Sequence, residues 1–299
     1  MEFLQLLLSG LANGCVYGLI ALGFVLIYKA TEAVNFAQGD FMMLGAFVMI
    51  GLVNPHFMGI NFWLAVPLAL LIMGALGYLF DITILRQLFG QNQIAIVILT
   101  IALGFVIRFV AGVIWGHEPL NLHSPLALGD VRLGGVVLSL ADIAVITVTV
   151  ILTLLLWQFF QRTKLGLAIQ AASQNQMAAY YMGIPVKRVQ GAVWALAAIV
   201  ACVAGILYAS KGAVDVSAGF IGIKAFAAAV IGGIGSLPGA VIGAMIIGFS
   251  ENFLTALFPR TPTFLGITEF KDTFAFVLLI LVLLIRPSGI VGEDLSEKV

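Results

Sequence analysis

Four ionisable residues, Arg108, Asp142, Lys224 and Glu251, stand inside long apolar runs, where a charge must pair, reach the membrane surface or line water. Residues of this kind can couple a solute to an ion gradient, but these four form no evident carboxylate relay, so a self-sufficient ion-coupled transporter is the weaker reading. Other chemistry is poorly served. There is no nucleophile–base pair and no metal-ligand spacing. His56, His117 and His123 fall between the apolar runs, while Cys15 and Cys202 lie within them as small core residues. No glycine precedes a lysine anywhere in the chain, so the Gly-Lys-Ser/Thr ending of a phosphate-cradling loop is missing. The chain therefore reads as a non-enzyme with no metal and no cofactor of its own, and any ATP chemistry belongs to a partner.

Composition sets the class. Hydrophobic residues make up 62% and charged residues 9%, with a mean hydropathy of +1.15, far from the roughly 25% charged residues of soluble domains. This is an integral membrane protein, and its balanced charge gives no sign of nucleic-acid binding. Candidate spans are 3–28, 41–53, 61–80, 94–116, 139–160, 191–210, 217–234, 237–258 and 266–285, an all-α polytopic fold of about eight or nine transmembrane helices. The segment 217–234, with Lys224 and Gly232-Gly233, reads as a broken or re-entrant segment rather than a clean span.

The polar stretch 161–189 separates two apolar runs and carries Arg162, Lys164, Lys187 and Arg188. By the excess of lysine and arginine on inner loops, it faces the cytoplasm. Nine spans then place Lys29, Arg86, Arg286 and Lys298 on the same side, and Arg132, Lys211, Arg260 and Lys271 outside, with the N-terminus out and the C-terminus in. Ser173 and Gln176 have the spacing of a capping box, Gly183 suits a left-handed cap, and Pro185 stops continuation. This predicts one short helix over 174–182. Its exposed ridge would present Met177, Ala178, Ala179, Tyr180 and Tyr181 for insertion into another protein.

Glycine is patterned. Gly10, Gly14 and Gly18 recur every fourth residue, as do Gly235, Gly239 and Gly243, and such faces let helix backbones approach closely within the membrane. Arg108 shares a helix face with Gly104, Gly112 and Gly116. Two further stretches break helix rules: 29–40, with Asn35, Gln38 and Asp40, and 232–239, with four glycines and Pro238. Irregular backbone at membrane depth is tolerated where protein buries it or water reaches it. Both stretches therefore border a path, or are tight turns with Asp40 as an N-cap and Pro238 in a first helical turn. Candidate pathway residues are Asn13, Tyr17, Asn35 and Gln38.

Three segments carry a family resemblance: NFAQGDFMMLGAF at 35–47, GLAIQAASQNQMAAYYMGIPVKRV at 166–189 and VIGGIGSLPGAVIGAMIIGFSENF at 230–253. Together they resemble the permease subunits of branched-chain amino acid ABC importers over nearly the whole chain. The resemblance implies one permease domain spanning 1–299, in the bacterial inner membrane, that moves leucine, isoleucine or valine by alternating access. Importers of urea, short amides or other amino acids in the same family are the alternative. It implies a second, different permease subunit, two ATP-binding subunits that hold ATP and Mg, and an extracytoplasmic binding protein. Within the loop 161–189 it marks Gly166, Ala172, Asn175, Ala179 and Gly183, beside Ser173, Gln176, Ala178 and Tyr180 from the helix reading, as the contact with the ATPase.

Overall fold

The computed structural model describes residues 2–88, 93–127, 129–133, 136–257 and 270–292. Its helices are α1 (Glu2–Thr31), α2 (Gln38–Val53), α3 (Phe62–Thr83), α4 (Gln93–Trp115), α5 (Leu140–Arg162), α6 (Lys164–Gln174), α7 (Gln176–Tyr181), α8 (Val186–Lys211), α9 (Ile221–Gly232), α10 (Leu237–Leu257) and α11 (Phe270–Ile285). Six of them are long and apolar enough to cross a membrane, and α2, α9 with its preceding turn, and α11 are shorter apolar helices. The candidate spans read from the sequence each coincide with one of these nine. Between α4 and α5 the strands β1 (Asp130–Leu133) and β2 (Val136–Ser139) pair antiparallel, a small addition to an otherwise helical fold. Arg260, Glu269 and the tail from Glu293 lie outside the described residues.

The long helices α1 and α8 are the most enclosed. Residues rising along α1 meet residues falling along α10: Gly10 lies on Phe249, Gly14 on Ala244 and Met245, and Gly18 on Val241. These two helices are therefore antiparallel and in near backbone contact. In the same way Gly74 packs on Ile199 and Gly77 on Trp194, which sets α3 antiparallel to α8. Gly243 packs on Ala228 and Gly239 on Gly232, so α9 runs against α10. Gly235 meets nothing and lies in the turn before α10, so it is not part of the ridge that its spacing suggested. The ridge is Gly239, Gly243, Ala244 and Gly248, and both its faces are spent within this chain.

Following these directions round the bundle shows a repeat. Helices α1 to α4 are matched in order by α8 to α11, and each helix runs opposite to its counterpart. The sequence carries a faint echo at one constant offset, with Tyr28, Ala33, Val34 and Gly39 answered by Tyr208, Ala213, Val214 and Gly219. In both halves the long helix ends, at Thr31 or Lys211, and an unwound stretch turns back before the next helical turn begins at Gln38 or Ala218. Gln38 lies against Gly23, so the first stretch climbs back about 12 Å alongside α1. Helices α2 and α9 therefore begin deep inside the protein. At 16 and 12 residues they measure about 24 and about 18 Å, less than the roughly 30 Å hydrocarbon layer. The segment 217–234 is thus a half-helix that starts inside the protein, not a clean span.

The two short helices touch where they start. A Cβ on Gly222 would stand 2.6 Å from the Gly39 Cα, and one on Gly39 would strike the Gly219 carbonyl. Overpacking a crossing of two backbones costs about 1–3 kcal/mol or more. Gly222→Ala is expected to lower the thermal midpoint and yield of the purified subunit, while Gly235→Ala, in open space, stays within about 0.5 kcal/mol of the parent. Fluorescence-detected size-exclusion after graded heating separates the two outcomes.

Candidate functional site

The unwound stretch 32–37 would leave backbone N–H groups stranded inside the protein, and polar side chains answer them. Asn35 Oδ1 accepts from the Ala37 N–H at 3.1 Å, and Thr100 Oγ1 from α4 accepts from the Phe36 N–H at 3.1 Å. Asn35 Nδ2 donates to Gln38 Oε1 at 3.3 Å, and Gln38 Nε2 donates to the Ala197 carbonyl of α8 at 3.2 Å. Asn35 and Gln38 are fully buried. Gln38 ties the unwound stretch to α8, as Thr100 ties it to α4. The matching stretch before α9 is held by a bridge between Val214 and Leu120, and Asp215 Oδ1 accepts from the Ser217 N–H at 2.8 Å.

Asp40 sits in the first turn of α2, whose N-cap position is Ala37, so it is not the N-cap. Its Oδ1 accepts from Arg108 Nε of α4 at 2.5 Å. Glycines make the room: a Cβ on Gly219 would collide with Oδ1 and one on Gly104 with Oδ2. A carboxylate beside a helix N-terminus is favoured by the dipole there, and its partner guanidinium lies 3.7 Å over the ring of Phe220. Arg108 therefore neither snorkels nor stands alone. It meets Asp40 and Phe220, the very residues that the repeat places in equivalent positions.

A second polar chain runs along the α1–α10 seam. Asn13 and Tyr17, one turn apart on α1, are only half-buried. Asn13 Oδ1 accepts from Lys211 Nζ at 2.8 Å, Lys211 pairs with Asp142 at 2.7 Å, and Asn13 Nδ2 donates to Asn252 Oδ1 at 3.4 Å. Tyr17 donates its hydroxyl to Glu251 Oε2 at 2.9 Å, and Lys224 pairs with Glu251 Oε1 at 3.2 Å. The embedded charges thus stand as three ion pairs joining different helices. Removing one partner of a buried pair costs about 3–5 kcal/mol, and removing both costs far less. Lys224→Met is therefore expected to drop the thermal midpoint of the purified subunit sharply, and Glu251→Gln added to it to recover most of the loss.

The loop between α5 and α8 holds two helices where the sequence suggested one. Thr163 Oγ1 accepts from the Gly166 N–H at 2.9 Å and starts α6. A Cβ on Gly166 would meet the Phe159 carbonyl, so glycine lets α6 fold tightly back on α5. Ser173 lies within α6 and its hydroxyl donates to the Gln170 carbonyl at 2.8 Å. The cap of α7 is instead Asn175, whose Oδ1 accepts from the Ala178 N–H at 2.9 Å. The capping box from Ser173 to Gln176 is therefore not formed. Gly183 does take the left-handed conformation, at φ +84°. Ala172, Ala179 and Val186 pack into a small cluster of their own, which removes Ala179 from the exposed ridge. Met177, Tyr180, Tyr181 and Met182 are left 68–83% exposed on so short an element. The side chain of Gln176 lies outside the description.

Paired half-helices in an inverted repeat, intramembrane ion pairs and one loop that bares aromatic side chains define a polytopic membrane transport subunit. The chain belongs to the family of branched-chain amino acid transport system permease components, whose model matches residues 6–283. It is 33% identical to the high-affinity branched-chain amino acid transport system permease protein BraD of Pseudomonas aeruginosa, over 100% of this chain and 98% of that one. It is 31% identical to the corresponding permease protein LivH of Escherichia coli K12, again over 100% and 98%. Among solved structures it is similar to PsaBC from Streptococcus pneumoniae in complex with Fab, with a TM-score of 0.52 over 96% of this chain and 93% of that one; at 16% identity this is a likeness of fold.

Proposed function

We propose that this chain is one of two permease subunits of an ATP-driven importer that carries leucine, isoleucine or valine across the bacterial inner membrane. The observation that carries the reading, beyond family membership, is the loop. Its α7 is capped and anchored from within by Ala172, Ala179 and Val186, yet turns Met177, Tyr180, Tyr181 and Met182 outward. Large aromatic and methionine side chains exposed on a fixed support are the anchors of a protein interface. Two ATP-binding subunits, holding ATP and Mg, supply that interface, and closure of the ATPase pair moves α6 and α7 as a unit against α5 and α8. An extracytoplasmic binding protein delivers the amino acid from the other side.

Anchor residues of this kind commonly carry 2 kcal/mol or more each, roughly thirtyfold in affinity. Replacing Tyr180 and Tyr181 together with serine is expected to leave subunit yield unchanged. Co-purified ATPase and ATP-driven leucine uptake should both fall at least about tenfold. Uptake and ATPase recovery at parental levels would refute the docking role. Ala179→Arg would be the poorer test, because a buried alanine makes its loss of docking indistinguishable from a misfolded loop.

Orientation follows from the basic residues near α5 and α8, with the N-terminus outside and the C-terminus inside. Cys15 and Cys202 are fully buried and free, so a single added cysteine is the accessible thiol. Lys187→Cys should react with an impermeant maleimide only from the cytoplasmic side, and Asn121→Cys only from outside. Labelling of both from one side would overturn the arrangement.

A further inference from the structure

An arginine carries five N–H donors in a planar fork. Arg108 spends Nε on Asp40, and among the described residues its terminal N–H groups have no hydrogen-bond partner. The ion pair is lopsided: the Asp40 side chain is 2% exposed and the Arg108 side chain 18%, so the open side of the pair is the arginine. Beside it lie the rings of Phe220 at 3.7 Å and Phe105 at 5.4 Å, residues that are themselves 51% and 60% exposed, and Ile223 follows on the same face of α9. Arg108 lies about two turns, about 10 Å, inside the end of α4. Hydrocarbon offers no acceptor at that depth. The face therefore requires something with carboxylate-like acceptors and tolerance for apolar walls.

We propose that Arg108 is the substrate-binding residue that recognises the α-carboxylate of the transported amino acid, while Phe105, Phe220 and Ile223 hold its aliphatic side chain. The proposal rests on the functional reading above. A carboxylate presents two oxygens in the geometry of the guanidinium fork, which lysine cannot match. A branched hydrocarbon chain gains only apolar contact from aromatic walls. Asp40 tempers the site: by pairing with the same guanidinium it leaves little net charge for a passing anion, so the carboxylate is held weakly enough to be released. The second permease subunit closes the pathway on the opposite side.

The test uses the assembled complex of both permease and both ATP-binding subunits in nanodiscs, without the binding protein, and radiolabelled leucine as probe. Asp40→Asn removes the competing carboxylate and is expected to raise leucine retention about tenfold, and adding Arg108→Met should abolish the gain. 4-Methylpentanoate, which keeps the carboxylate and lacks the amino group, should displace leucine, whereas 3-methylbutylamine, which lacks the carboxylate, should not. Retention in Asp40→Asn no better than the parent's, or equal displacement by the acid and the amine, overturns the proposal. Arg108→Lys, which keeps the charge opposite Asp40, covers the case in which Asp40→Asn does not assemble. In proteoliposomes with binding protein and ATP it should keep stimulated ATP hydrolysis but move about tenfold less leucine per ATP. An unchanged leucine-to-ATP ratio refutes the role of Arg108. A parent complex that moves no leucine at all faults the functional reading instead.

Discussion

Two helices that begin in the middle of a membrane protein impose the constraint from which the remaining structure follows. Each start exposes backbone N–H groups, and each approach is an unwound stretch whose own amides lack helical partners in a place where water does not help. The protein answers with Asn35, Thr100, Gln38 and Asp215 as local acceptors or donors, and with Asp40 beside the first turn of α2. Each answer recruits a neighbouring helix. Thr100 and Arg108 draw in α4, Ala197 draws in α8, and the glycine at each start lets the two crossing backbones touch. The most polar atoms inside the bundle are thus concentrated where regular structure stops.

Little of this is a hydrophobic argument. Inside lipid the association of apolar helices rests on close packing and on polar contacts between them, and both are visible here. Gly14 against Ala244, Gly77 against Trp194 and Gly243 against Ala228 are backbone approaches that a Cβ would forbid. The pairs Lys211–Asp142 and Lys224–Glu251 join α8 to α5 and α9 to α10. Those partners lie far apart in sequence, so they fix helix order as well as depth.

The spans, the incomplete span at 217–234 and the left-handed Gly183 were legible in the sequence because hydropathy, glycine and proline act locally. The pairings were not. Asp40 is a sound N-cap by spacing, and only the arrival of Arg108 from α4 shows why it stands one turn later. Asn35 and Gln38 look like pathway residues because polar groups in a span suggest water; their bonds to the Ala37 N–H and the Ala197 carbonyl, which satisfy backbone, were not legible. Ser173 and Gln176 match a capping box, but Thr163 had already started a helix that absorbs Ser173, and Asn175 captured the cap. The inverted repeat left a usable trace, Tyr28 to Gly39 against Tyr208 to Gly219, too sparse to notice before the helix directions gave it meaning.

A body built from two halves of opposite direction looks alike from either side of the membrane, and so supplies no arrow of its own. Whatever makes movement one-way must reside in what is not duplicated. That includes the segment between the halves, α5 to α7 with its hairpin, and the position where one half carries a carboxylate and the other a phenyl ring. The first lends one side of the membrane a handle that the other lacks. The second makes the two unwound crossings chemically unequal, so the two outlooks of the subunit differ in energy even though their backbones are built to the same plan.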